Sequence, residues 1–414
     1  MANPNIAALT NLATGTLSWT ITADQVTLFG AGHATSNGSS SITGKCPTPT
    51  NYRNMGGYTD DGSSEAIANT MTLCSVANYD SSASSGVTQN GDAMTLLDKA
   101  DAIAGQSISM AHYYRTNPDK STDDSIGSWG TVPYSIDHVA TQGGYAFLGI
   151  GYFGNVDQTN PFGIVNSGRS EQRTADKVIW TQEGYQYNTF AHVRPIKTRM
   201  GDLIIGFATG THYPYFNITD PNARTITGNM DSNASYGTLN GNHMWYIMPN
   251  NNFELPQVRK ASNYFGHKTH SWGDYGNAWY SFLNIQSPRT HSELFTVPAD
   301  KTIKINSIQI INPDVPNMHV DMQIEGLATG NTGILDSGNS SIITVPSSPG
   351  SVAVTNLCQA KKATMEKPTN VIEQPIWLGA GDKLTAKVVC NDNSPQFYRK
   401  NCDILISFEV VNDA

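Results

Sequence analysis

The strongest constraint on this chain is a two-residue rhythm in its last third. Ile303 and Ile305 flank Lys304, Ile308 and Ile310 flank Gln309, and Val320, Met322 and Ile324 are separated by Asp321 and Gln323. Leu384, Ala386 and Val388 alternate with Thr385 and Lys387, and Ile404, Ile406, Phe408 and Val410 with Leu405, Ser407 and Glu409. Successive side chains on a strand point to opposite faces, so this spacing lays an apolar stripe on one side of a sheet and a polar stripe on the other. A helix would scatter the same residues around its circumference. The rhythm slips by one residue at Asn306-Ser307, which predicts a β-bulge. Pro298-Ala299-Asp300 and Gly379-Ala380-Gly381-Asp382 read as turns between strands. The sequence therefore predicts a mainly β, multi-domain chain with an antiparallel β-sandwich of about seven or eight strands over residues 290–414.

Composition narrows what the rest can be. The 414 residues suffice for two or three domains at roughly 100–200 residues each. Only 14% are charged, against roughly 25% in an ordinary soluble domain, and Asn, Ser, Thr and Gly take up the difference. That balance excludes coiled coils and helical repeats. The formal net charge of −9 argues against a nucleic-acid partner, which needs a basic face. No run of about 18–20 apolar residues predicts a membrane insertion. The opening Met1-Ala2-Asn3-Pro4-Asn5 lacks the basic start of a secretory signal, so synthesis in a cytoplasm is expected. A neutral, polar, Tyr- and Trp-bearing surface nonetheless resembles that of proteins that work outside cells. Cys46, Cys74, Cys358, Cys390 and Cys402 show neither a C-x-x-C pair nor zinc-like spacing, and are read as reduced, mostly buried thiols. Cys390 and Cys402 alone are placed to face each other across a hairpin.

Upstream of residue 290 the pattern is less regular. Strands are expected at Tyr145–Tyr152, Val178–Thr181, Phe190–Ile196, Leu203–Ala208 and His243–Met248, joined by loops rich in Asn, Gly and Pro. One short helix is expected from Asp92 to Ala104, with Leu96, Leu97, Ala100, Ile103 and Ala104 on one face and Gly105 as its stop. Three regions follow: an N-terminal attachment or assembly region (1–115), a β-rich middle domain (116–289) and the C-terminal sandwich (290–414).

Motifs for chemistry are weak. Gly149-Ile150-Gly151-Tyr152-Phe153-Gly154 has the spacing of a dinucleotide loop, but its aromatic bulk and the absence of a following helix make it a turn between strands. His267, His270 and Asp274 are the best metal candidate. On a strand, however, positions three apart face opposite sides, so no metal site is expected. Asp60-Asp61-Gly62 and Asp220-x-Asn222 lack the closing Glu of a calcium loop. Glu171 and Glu183 sit among polar residues with no partner carboxylate singled out for glycoside hydrolysis. No catalytic residue and no cofactor is assigned, and the chain is read as not an enzyme. The most unusual stretch is Tyr264–Phe282. Tyr264, Phe265, Trp272, Tyr275 and Trp279 form a candidate aromatic binding patch. It serves either as packing in a core or subunit interface or as a platform for sugar rings.

Three segments carry a resemblance: Leu294-Phe295-Thr296-Val297-Pro298-Ala299-Asp300-Lys301-Thr302 with Ile308–Asn312, then Pro375-Ile376-Trp377-Leu378-Gly379-Ala380-Gly381-Asp382-Lys383-Leu384, then the closing strand Cys402–Val411. Together they make the C-terminal region similar to a β-sandwich module of tailed-bacteriophage virion proteins. The resemblance implies a structural role in a tail fibre, collar or baseplate appendage. It implies a homo-oligomer, for example a trimer, with other virion proteins as partners and the virion as location. A capsid decoration protein, a fibre that binds host-surface glycan and a polysaccharide-degrading spike are the alternatives. Residues 1–289 carry no such likeness.

Overall fold

The computed structural model describes residues 14–37, 41–47, 69–79, 85–89, 91–100, 108–116, 133–139, 145–170, 178–183, 186–191, 197–198, 201–211, 215–218, 224–230, 239–247, 253–254, 267–271, 278–288, 291–311, 318–325, 332–334, 342–344, 352–353, 363–364, 367–368, 376–390 and 400–412. Every regular element among them is a β-strand, and all the strand pairs are antiparallel. The mainly β reading holds.

The C-terminal sandwich has two five-stranded sheets. One runs Thr14–Thr22, Asn401–Asn412, Lys301–Ile311 and then Val352–Ala353, with Ile376–Leu378 also on Lys301–Ile311. The other runs Ser292–Thr296, Lys383–Cys390, Met318–Glu325 and Thr332–Ile334, with Ile342–Thr344 also on Met318–Glu325. The alternating apolar residues meet between them: Ile303, Ile305, Ile308, Leu384, Ala386, Val388, Ile404, Ile406 and Val410 are all sealed from solvent. The expected bulge is present, since register shifts between Ile305 and Ser307 against Asn401–Asn412. Both turns are present too. Lys301 N donates to Pro298 O at 3.2 Å, and Asp382 N to Gly379 O at 3.0 Å. Gly381, at φ +83°, holds the left-handed position of a type II turn.

Strand pairing also brings the two ends of the described chain together. Thr14–Thr22 lies along the last strand, from Thr14 opposite Glu409 to Thr22 opposite Asn401, so the sandwich takes one strand from the far end of the sequence. Its Leu17, Trp19 and Ile21 alternate inward, and Trp19 stacks on Phe295 with ring centroids 5.8 Å apart. Cys390 ends a strand of one sheet and Cys402 is the second residue of a strand in the other, so they are not hairpin partners.

Residues between the two parts of the sandwich build a layered body. Its central sheet is ordered Thr27–Asn37, Tyr145–Gly154, Met71–Tyr79, Ile108–Thr116, Thr95–Ala100. One face, with Cys74, Val76, Ala111, Tyr113, Ala146, Leu148 and Ile150, packs on Ile42 and Val87 of a smaller sheet that also holds Pro133–Val139. The other face, with Leu73, Ala77, Met110, Phe147 and Phe153, packs on Leu203, Ile205, Phe207, Met244, Leu283 and Ile285. These belong to a sheet ordered Phe162–Ser170, Ala278–Ile285, Leu203–Thr211, Leu239–Ile247, Arg224–Met230. A sheet covered on both faces has no solvent stripe, which is why its strands read as continuous apolar or small residues.

Two expectations are corrected here. The helix from Asp92 to Ala104 is not formed where the chain is described: Asp92–Ala93 and Thr95–Ala100 are strands. The second pairs with Ile108–Thr116, and its register shifts between Leu96 and Asp98. The extra residue turns Leu97 toward the core and leaves Leu96 44% exposed. A bulge in a strand thus produced an apolar spacing that resembles a helical face. Ile103, Ala104 and Gly105 lie outside the described residues. The Gly149–Gly154 segment is not a turn but the end of the central strand Tyr145–Gly154. A Cβ on Gly151 would sit 2.7 Å from the Phe153 ring, so glycine there makes room for a neighbour.

Candidate functional site

The expected aromatic patch is mostly outside the described residues: Tyr264, Phe265, Trp272 and Tyr275 lie there. Trp279 is on strand Ala278–Ile285, opposite Arg169 on one side and Thr209 on the other. His267 and His270 are on strand His267–Ser271, between Gln186–Ala191 and Tyr215–Ile218. Asp274, Asp60, Asp61, Gly62, Asp220, Asn222 and Glu171 lie outside the described residues. Among those described, no group of three or more His, Cys, Asp or Glu is placed to hold a metal ion. No helix there is long and apolar enough to cross a membrane.

Two constellations emerge that the sequence reading did not isolate. The first is Ser75 with His112, on neighbouring strands of the central sheet and directly opposite in register. Ser75 Oγ is 2.8 Å from His112 Nδ1. The His112 ring meets Phe207 of the facing sheet edge-on at 5.7 Å, and its Nε2 has no hydrogen-bond partner among the described residues. Burial lowers the His112 pKa to about 4, and the charge of Asp98 acts in the opposite direction. The residue types suit nucleophilic catalysis, but the position does not. Ser75 is 0% and His112 1% exposed, closed between two sheets. A hydroxyl that must reach a substrate cannot work from there.

The second is an outward rank on the sandwich. Glu409, Lys304 and Trp377 stand side by side on adjacent strands, Lys304 being opposite both of the others. Lys304 Nζ is 3.3 Å from Glu409 Oε2 and 5.7 Å from the Trp377 ring centroid. The alternation that buries Leu378 completely forces Trp377 outward, and it is 53% exposed. Further along the same face, Thr20 Oγ1 donates to Asp403 Oδ1 at 2.6 Å and Thr22 Oγ1 to Asn401 Oδ1 at 3.0 Å. Thr16 Oγ1 and Ser407 Oγ share a bond of 3.1 Å. The result is a sheet face of mutually paired hydroxyl, amide and carboxylate groups, with one broad aromatic standing out of it. Such a face can pack on another protein surface or support a sugar ring, because Trp offers large area while its neighbours stay hydrogen-bonded. The signal was legible: Trp377 sits between Ile376 and Leu378 in a strand, where the apolar stripe cannot take all three.

Comparison with protein-family models gives no match to this chain, and comparison with curated proteins gives none either.

Proposed function

We propose that this chain is a structural protein of a bacteriophage virion, in a tail fibre, collar or baseplate appendage, that assembles into homo-oligomers through its β-domains. One observation carries the reading beside the sequence resemblance: the segments behind that resemblance, far apart in the chain, act as one structural unit. Val297 N donates to Asp382 O at 2.8 Å and Gly381 N to Val297 O at 2.9 Å, so the Val-Pro-Ala turn and the Gly-Ala-Gly-Asp turn clasp each other. Asp382, fully buried, caps its own turn by accepting from Gly379 N at 2.9 Å. The closing strand Asn401–Asn412 is paired on both edges. In this reading the chain does no chemistry and takes no cofactor, and its partners are its own copies and other virion proteins.

Immunogold labelling of intact tailed phage particles with antibody to the purified protein tests the assignment. Regular labelling at one station on the particle is expected, and particles that carry none of the protein overturn it. A fibre that binds host-surface glycan is the second reading, favoured by the exposed Trp377 beside Lys304 and Glu409. It requires retention of the purified oligomer on immobilised cell-envelope polysaccharide, lost in Trp377→Ala without loss of assembly.

A further inference from the structure

Where the described chain passes between the sandwich and the layered body, it does so twice, through residues 23–26 and through residues 286–288. Both crossings converge on Lys387. This residue is on the face of strand Lys383–Cys390 that the alternation assigns to solvent, yet it is 6% exposed. Its Nζ donates to Ser287 Oγ at 2.8 Å and to Pro288 O at 2.6 Å, both in the second crossing. The same Nζ is 3.7 Å from Asp24 Oδ2, in the first.

Each crossing is anchored again on its other side. Asp24 N donates to Val388 O at 2.7 Å, and Val26 N to Gly201 O at 2.9 Å. Asn155 Nδ2, from the end of the central strand, donates to Asp24 Oδ1 and, at 3.2 Å, to Gln25 O. Ser287 N donates to Asp202 Oδ1 at 3.1 Å, and Asn284 Nδ2 to Asp202 Oδ2 at 3.1 Å. Asp202 is fully buried.

We infer that residues 27–285 are an insertion into the sandwich, locked in orientation by the Lys387 ammonium, which holds both ends of the insertion at once. Insertions are tolerated where the ends lie close together, and one ammonium touching both crossings meets that condition. Two strands of chain alone make a hinge. Turning about them would strip acceptors from a buried charge, which is strongly unfavourable. The lock therefore lets a body mounted on the sandwich point in one fixed direction.

Arg289, the next residue in sequence after Pro288, gives a direct readout, because trypsin cleaves after arginine. In the full-length protein, Lys387→Met is expected to speed cleavage after Arg289 on the order of tenfold, as local opening is freed, with circular dichroism unchanged. Asp24→Asn, which removes one partner, moves the rate in the same direction by less, and it carries the test if Lys387→Met does not fold. The nicked protein is expected to stay whole on size exclusion and to separate only in denaturant, because fragment 1–289 still supplies strand Thr14–Thr22 to the sandwich. Unchanged cleavage rates in the folded variants overturn the lock. Fragments that part without denaturant overturn the insertion.

Discussion

His112 sits between two sheets, where only its neutral imidazole is accommodated. Its pKa falls from 6.5 to about 4 through burial, against the opposing charge of Asp98. The sign follows from proton counts. Below about pH 6.5 the unfolded chain binds a proton that the folded chain refuses until about pH 4, so stability is full above that window and drains as pH falls through it. Between pH 7.5 and 4.5 the loss is about 2–3 kcal/mol, readable in urea unfolding at the two pH values. His112→Gln keeps a polar partner for Ser75 but does not titrate, so its profile is flatter by that amount. An unchanged slope would remove His112 as the cause. Gly151 makes a second residue-scale case. Gly151→Ala must displace the fully buried Phe153 ring, and overpacking of this kind costs about 1–3 kcal/mol, seen as a lower urea midpoint.

At the scale of elements, the strand Thr14–Thr22 does more for the sandwich than its place in the sequence suggests. Trp19 and Ile21 are each 5% exposed in the shared core. Trp19→Ala should cost about 3–5 kcal/mol, and it should loosen the C-terminal strands in hydrogen exchange although the substitution is near residue 20. Protection changes confined to residues 14–22 would refute that coupling. The same strand shows where sequence reading works and where it stops. Its inward Leu17, Trp19 and Ile21 alternate as cleanly as Ile404, Ile406 and Phe408, but periodicity names a face and not a partner hundreds of residues away. The half-covered strands from Lys301 onward were legible, bulge included, because one face met core and the other solvent. The central body sheet was less so: covered on both sides, Tyr145–Gly154 has no polar stripe, and its glycines read as a turn. Thr95–Ala100 failed for another reason, since its bulge moved Leu97 into phase with a helix. Lys387 looked like part of a solvent stripe until the two crossings covered it. Trp377 was readable from position alone, whereas the Ser75–His112 pair depended on a register between separate strands.

For the whole molecule, the low charge that argued against helical and nucleic-acid-binding classes also decides how the proposed assembly should respond to salt. Raising ionic strength to about 0.5 M shortens the screening length to roughly 4 Å and weakens exposed pairs such as Lys383 with Glu293, 3.9 Å apart and about half exposed on both sides. It leaves apolar and aromatic contacts untouched or strengthened. An oligomer built through the sandwich face is then expected to sediment at the same rate in low salt and in about 0.5 M sodium chloride. If the proposed homo-oligomer is built through that face, Trp377→Ser shifts it toward monomer while the melting of the subunit stays nearly unchanged, since an exposed side chain contributes little to its own fold. Salt alone releasing monomers would mean that the copies are joined by charge. Trp377→Ser leaving sedimentation unaltered would place the subunit contact elsewhere on the chain and free the Trp377 face for the glycan reading.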